Sequence, residues 1–452
     1  MHPMPTLSLS ISPSPLLIEA RREPQVCYVL LTIRATGDPG AALRPINWAL
    51  VADASRSMRI PIVDEQQFRS LLRNGAAQET LVDGVPVWQL SGPVPPEVRD
   101  SASSALDHVA HALHTIVERL TSDDRFALVA FADEPLLLAP IAPGSERVTL
   151  VRAIERLSAI DLGDETDLAA GMALALSQVR AGRDGRRADR IVLLTDGFTR
   201  RPAACLALAD EAAGEHIAIT TLGLGGEFQD DLLTALADRS GGHALFLKRA
   251  AAIPRAVSAE LESARAAAIT AVAISIAPAR DVRLRRVTRM RPALALLAEP
   301  VGAAAADVVG LQLGDLAVGA PVTLLLEFLA PAAEPGPLWL GAILAASAGS
   351  RAAQLDLQAT VTRGAPELPA DLRTAAARAM AARLMRRAIT AGEPAEAARL
   401  MRVAAARFDD LGERALAAAA REQADAYERD GRAAGLATRE LTYATRRLGG
   451  AP

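Results

Sequence analysis

Cysteine is nearly absent: the 452 residues include two, Cys27 and Cys205, far apart in sequence and without metal-ligand spacing. They read as reduced thiols of a cytoplasmic protein, a single disulfide being the alternative. A charge excess of one sign is also missing. A net charge of -4 and a pI near 6.0 supply no global electrostatic reason to bind nucleic acid. Long apolar runs are lacking as well. The segments near 268–277 and 320–330 are short and interrupted by proline, charge or glycine, and neither reaches the roughly 20 residues that span a bilayer. The opening MHPMPTLSLSISPSP has no basic start and no continuous apolar stretch, so no secretory leader is expected. G-x-S-x-G and H-E-x-x-H are both absent, which leaves hydrolase chemistry without an assembled constellation.

What is present is apolar material, half of all residues, in a chain long enough for two to four domains. Its pattern changes character three times. Residues 1–44 read as a β segment, in which Leu7, Leu9 and Ile11 alternate with polar neighbours and Val26–Arg34 is a second β-rich run. Residues 45–267 alternate short β runs (Trp48–Ala52, Phe126–Ala132, Ile191–Thr195, Ile217–Leu224, Ala244–Leu247) with helical patterns. The helical stretches are Ser103–Leu120, Val148–Leu157, Asp167–Arg180, Pro202–Ala213 and Gln229–Asp238. Such alternation predicts an α/β unit, a doubly wound, mostly parallel sheet with helices on both faces. Strands dominate again over 268–362, and residues 363–452 carry Ala, Arg, Glu and Leu at helical spacing. The two β segments predict one β-sandwich with the α/β unit inserted between them, followed by a C-terminal helical region.

The candidate chemistry sits where β runs end. Asp53-Ala54-Ser55-Arg56-Ser57 follows the first run, Thr195-Asp196-Gly197 closes the third, and Gly163-Asp164-Glu165-Thr166 opens a helix between them. In an open α/β sheet these segments share the carboxyl edge, where ligands collect. Carboxylates and hydroxyls are hard donors, suited to Mg²⁺, Mn²⁺ or Ca²⁺ and poorly suited to zinc. Asp53, Ser55 and Ser57 converge on one point if the segment is a strand-to-helix turn, with Thr166 and Asp196 completing the set. An ion held mainly by neutral oxygens keeps much of its charge and favours an added carboxylate. A helix cap and a turn are the plainer reading of each motif alone.

D-A-S-R-S, the loop threonine and T-D-G, in that order, resemble the von Willebrand factor type A family over about Asn47–Ala267. The resemblance implies a metal-ion-dependent adhesion site made of Asp53, Ser55, Ser57, Thr166 and Asp196, and a doubly wound sheet with one antiparallel edge strand. It implies a protein ligand offering Asp or Glu to the ion, recruitment by an ATPase as in other bacterial members, and binding without catalysis. A phosphatase-like hydrolase using the same ion is the alternative. Two positions depart from the family pattern: Arg56, and Glu165 beside Asp164. Arg56 either meets the partner's acid or is solvated at the rim. Asp164 or Glu165 either occupies the open metal position from within or points to water.

An insertion over 59–100 separates the first motif from its helix. It reads as a short helix at Glu65–Arg73, then a β-turn-β unit around Asp83-Gly84, with Phe68 and Trp88 as apolar anchors for a partner or for the domain itself. His108, His111 and His114 share one predicted helix and read as partly exposed structural residues. Gly223-Leu224-Gly225-Gly226 reads as a tight turn. The C-terminal segments resemble an antiparallel helical hairpin of tetratricopeptide-like character, and Leu436–Leu448, with Arg439, Arg446 and Arg447, reads as a solvated basic face, a cap on the sandwich or a contact for an acidic partner being the alternatives.

Overall fold

The computed structural model describes residues 5–37, 43–62, 65–82, 85–90, 103–225, 228–300, 307–347, 350, 352–431 and 435–449. The chain opens with β1 (Thr6–Ser12), β2 (Leu16–Glu19) and β3 (Gln25–Thr36) and then enters the α/β unit through β4 (Ile46–Asp53). Every residue of β4 is buried, as expected of a strand covered on both faces. After β4 come α1 (Arg56–Arg59), β5 (Pro61–Ile62), α2 (Glu65–Arg73), β6 (Ala77–Val82), β7 (Val85–Leu90) and β8 (Ser103–Ser104). The anticipated short helix and the two β runs are thus α2 and the antiparallel β6–β7 pair, the turn at Asp83-Gly84 lying outside the described residues. Phe68 is half-buried on α2; Trp88 lies in β7, its side chain outside what the structure describes, as are residues 91–102.

The remainder of the unit runs α3 (Ala105–Arg119), β9 (Arg125–Phe131), β10 (Pro135–Pro143), α4 (Arg147–Ala159), α5 (Leu168–Gly182), β11 (Ala188–Thr195) and α6 (Pro202–Gly214). It ends with β12 (Ala218–Leu224), α7 (Asp230–Ser240), β13 (Ala244–Leu247) and α8 (Ile253–Arg265). The sheet order is β10-β9-β4-β11-β12-β13, parallel except for β10. Alternation along β4 divides the core. Trp48, Leu50 and Ala52 face α3, α4 and α8, whereas Ala49 and Val51 face α5, α6 and α7. Strand β10 is the antiparallel edge strand that the resemblance implies, though the sequence pattern placed neither it nor helix α8.

Beyond α8 the chain forms β14 (Ala267–Pro278), β15 (Arg283–Arg291), β16 (Ala295–Ala298), β17 (Val309–Ala317), β18 (Val322–Ala330), β19 (Gly336–Ala346) and β20 (Ala353–Thr362). Two five-stranded sheets result, β1-β3-β18-β15-β16 and β17-β14-β19-β20-β2, enclosing one apolar core. Each takes strands from both sides of the α/β unit, which is therefore inserted in the sandwich. Helices α9 (Ala370–Ile389), α10 (Pro394–Asp410), α11 (Arg414–Asp430) and α12 (Gly435–Arg447) share a core of their own. Leu372, Ala375 and Ala379 of α9 also pack on Met290 and Leu325 of the sandwich.

The reading of 436–448 as a solvated face is corrected here. Tyr443 of α12 lies in the α/β core. Arg446 donates twice to Asp238 of α7 at 2.8 Å, and the same carboxylate accepts from Arg289 of β15 at 2.7 Å. Arg446 is thus spent inside the molecule, on an acid some two hundred residues away, whereas Arg447 is exposed. A second buried cluster ties β11 to the sandwich. Arg190 donates to Glu260 of α8 and, at 2.9 Å, to Asp315 of β17. Among the described residues no helix is long and apolar enough to cross a membrane.

Candidate metal site at the sheet edge

Asp53 ends β4 fully buried. Its Oδ1 accepts from the Ser55 amide at 2.9 Å, turning the chain back toward α1 and orienting Ser55 and Ser57. Its Oδ2 accepts from the Thr195 hydroxyl of β11 at 2.5 Å, and Thr195 Oγ1 in turn accepts from the Gly197 amide at 3.1 Å. The two motif turns, 142 residues apart, are thereby joined through one carboxylate. Thr195 has a structural part in the site that the sequence motif assigned only to Asp196.

The hydroxyls follow in a chain. Ser55 Oγ and Ser57 Oγ are 3.1 Å apart, and Ser57 Oγ donates to Asp196 Oδ1 at 2.7 Å. Thr166 comes from the third segment; its Oγ1 lies 2.9 Å from where a Cβ on Gly197 would stand. All five sequence-predicted residues therefore meet at the carboxyl ends of β4 and β11.

Asp133, which the sequence reading did not single out, holds the Thr166 segment. Its Oδ1 accepts from the Glu165 amide at 2.7 Å. A Cβ on Gly163, where φ is +105°, would sit 2.3 Å from that same carboxylate, so only glycine allows the close approach. The Asp133 amide bonds Leu162 O at 3.2 Å, and the Asp167 amide bonds Ala132 O at 2.8 Å. Asp167 then caps α5 by accepting from the Ala170 amide. Thr166 is thus fixed from both sides.

The flanking residues are sorted by their partners. Glu165 Oε1 receives the Arg200 guanidinium at 2.5 Å, while Arg56 is exposed. Asp164 lines a cleft above the site with Ser57, Thr166 and Asp196, and Ile60, Ile62 and Phe198 join its wall at 59%, 48% and 55% exposure. His108 faces the same cleft, 3.1 Å from Ser103 Oγ, whereas His111 and His114 are exposed. Gly225, at φ +73°, makes the expected turn after β12, and Gly226 lies outside the described residues.

The donor set fits a hard divalent ion. It combines two carboxylates with three neutral hydroxyls and contains no sulfur or imidazole. Among the described residues no group of three or more His, Cys, Asp or Glu is clustered to hold a metal, so any cation here relies on hydroxyls. Burial pushes the Asp53 carboxyl up to about 6, with the hydrogen bonds from Ser55 and Thr195 opposing the rise and Asp196 adding to it. Positive charge at this point favours its ionised form.

Residues 100–259 match the profile of the von Willebrand factor type A domain, and the α/β fold is like that domain's. The match begins beyond the Asp53–Ser57 segment. Residues 370–451 match the family described as Sll0103-like, C-terminal alpha-helical domain. The "Uncharacterized protein sll0103" of Synechocystis sp. is 28% identical over 145 residues, which cover 32% of this chain and 34% of that protein. The matched part thus spans about a third of that relative's length. A von Willebrand factor type A structure from Catenulispora acidiphila superposes with a TM-score of 0.73 at 14% identity, covering 99% of this chain and 97% of that one. The ArnB paralog VWA2 from Sulfolobus acidocaldarius gives 0.53 at 12% identity, with 99% of each chain covered. At these identities the likeness concerns the fold, and it extends over the sandwich and the helices as well as the α/β domain.

Proposed function

We propose that the chain binds a protein partner through a divalent cation, Mg²⁺ or alternatively Mn²⁺ or Ca²⁺, held by Asp53, Ser55, Ser57, Thr166 and Asp196. The partner contributes an Asp or Glu carboxylate. One observation carries this reading: Ser57, Thr166 and Asp196 line the same cleft as the exposed Ile60, Ile62 and Phe198. A carboxylate subsite beside large exposed apolar side chains suits a protein surface, whose interface cores combine apolar anchors with few charges. The bound cation would supply the positive charge that a carboxylate seeks. The chain's own part is to present neutral hydroxyls, so that this charge is only partly cancelled. Binding is preferred to hydrolysis because three of the acids around the site have partners already; the fourth, Asp164, is exposed on the cleft wall. Asp53 accepts from Ser55 and Thr195, Asp196 accepts from Ser57, and Glu165 is paired with Arg200. A hydrolase would want one of them as a general base.

The test is a Mg²⁺- or Mn²⁺-dependent capture of partner by the wild type, Asp53→Ala and the exposed-site variant Ser57→Ala. Folding of each variant is checked by circular dichroism. Both substitutions should abolish capture and metal uptake; undiminished, chelator-insensitive capture by Ser57→Ala would refute the proposal.

A further inference from the structure

The loop that follows Asp196 is held from behind by residues with no part in the metal motif. Thr199, three residues beyond Asp196, is buried. One side chain grips its backbone at two points: Gln229 Oε1 accepts from the Thr199 amide, and Gln229 Nε2 donates to the Thr199 carbonyl, both at 3.2 Å. Gln229 immediately precedes α7, and its position depends on Phe228, which is fully buried.

Phe228 is fixed by the C-terminal helix. Arg439 of α12 donates to the Phe228 carbonyl at 2.9 Å and stacks its guanidinium 5.2 Å from the ring centroid. One turn on, Tyr443 lies 5.5 Å from Phe246, which is 5.9 Å from Phe228. Between them Glu440 pairs with Lys248 at 2.8 Å, and Lys248 stands on the rim of the same cleft as Ser57 and Asp196. One face of α12 therefore supports both the back of the Asp196 loop and the cleft's rim.

We propose that α12 is a working part of the metal cleft, and that Gln229 and Arg439 are positioning residues for the Asp196–Phe198 loop. The inference rests on the metal-binding reading above. Removing either residue leaves every candidate ligand in place but lets the loop leave its binding geometry, so cation affinity falls while the ligand set is unchanged. By linkage, whatever engages α12 and whatever engages the cleft must influence each other equally.

Mn²⁺ alone is the probe, titrated calorimetrically into the full chain, with the melting temperature read in parallel. Gln229→Ala and Arg439→Ala should each weaken Mn²⁺ binding roughly two- to thirtyfold. Arg439→Lys, which keeps a donor for the Phe228 carbonyl, should recover part of the loss. Arg446→Ala is the control for destabilisation without displacement. It lies on the same helix but pairs with Asp238, at the far end of α7; it should lower the melting temperature and leave Mn²⁺ affinity unchanged. Wild-type affinity in both Gln229→Ala and Arg439→Ala overturns the inference while sparing the metal site. An equal loss in Arg446→Ala also overturns it, because stability alone would then account for the effect. No Mn²⁺ uptake by the wild type overturns the metal reading and this inference together.

Discussion

Gly163→Ala isolates the geometry of the site from its chemistry, since it removes no ligand. Gly163 has φ +105°, and a Cβ there would meet the Asp133 carboxylate at 2.3 Å. A side chain forced into such backbone costs about 1–3 kcal/mol. The exposed loop can escape that cost by relaxing, which breaks the Asp133–Glu165 hydrogen bond and withdraws Thr166. Binding a cation through Thr166 then requires restoring the strained form first. Taking ~2 kcal/mol for that step, and 1.4 kcal/mol per tenfold, the expected loss is about thirtyfold in affinity. Stability of the metal-free protein should change little. Gly185→Ala is the matched control: φ is +76° there, and nothing lies within 4 Å of the new Cβ. It should cost about 1–2 kcal/mol in urea unfolding and leave Mn²⁺ affinity alone. Calorimetric titration of both variants decides the matter. Wild-type affinity in Gly163→Ala, or an equal loss in Gly185→Ala, would refute the argument that Asp133 and Gly163 set the position of Thr166.

Two further outcomes are expected. Burial alone would raise the Glu260 carboxyl, but the Arg190 charge, with His243 and Thr220, outweighs it and holds the group at about 2, against an ordinary 4.5. A depressed carboxyl contributes stability that is complete above pH 4.5 and is lost as pH falls toward 2. Glu260→Gln should therefore flatten the acid limb of the stability curve over that window, by at most about 3 kcal/mol, in urea titrations repeated across pH. Arg200→Ala releases Glu165 from an ion pair whose side chains are 80% and 50% exposed, worth no more than about 1 kcal/mol. If Glu165 then reaches the ion, affinity for a carboxylate peptide should fall roughly two- to fivefold while Mn²⁺ binding is kept; an unchanged peptide affinity rules out that role for Glu165.

The legible parts of this chain were those whose signal is local. D-x-S-x-S and T-D-G declare themselves within a few residues, and the strand–helix alternation around them gives the sheet edge on which they meet. Strand β10 escaped because Pro135, Pro140 and Pro143 punctuate it; an edge strand tolerates proline where a central strand does not. Helix α8 was hidden by its own function. Glu260 interrupts the buried stripe of Val257, Leu261 and Ala264, and only the distant Arg190 explains a carboxylate there. The basic residues of α12 misled for the same reason. Arg446 has the sequence look of a solvated charge, and its partner Asp238 belongs to another domain. Asp133 and Gln229 had no signal beyond their presence near a strand end or a helix start. What they do is hold backbone, and backbone targets have no sequence identity to recognise.

The sandwich built from both sides of the inserted domain has a consequence for synthesis. β3 pairs with β18 through nine residue partners, and its Val29, Leu31 and Ile33 are wholly buried in the finished protein. Roughly 290 residues separate the end of β3 from the start of β18. At typical translation speeds the ribosome takes about 15–60 s to deliver that partner. Throughout that interval β3 has only β1 beside it, a lone two-stranded ribbon of marginal stability with an apolar face toward solvent. The α/β domain can complete its own sheet meanwhile and bring its two ends together. The nascent chain's exposed liability is thus the β1–β3 pair, waiting for the second half of its sheet to emerge.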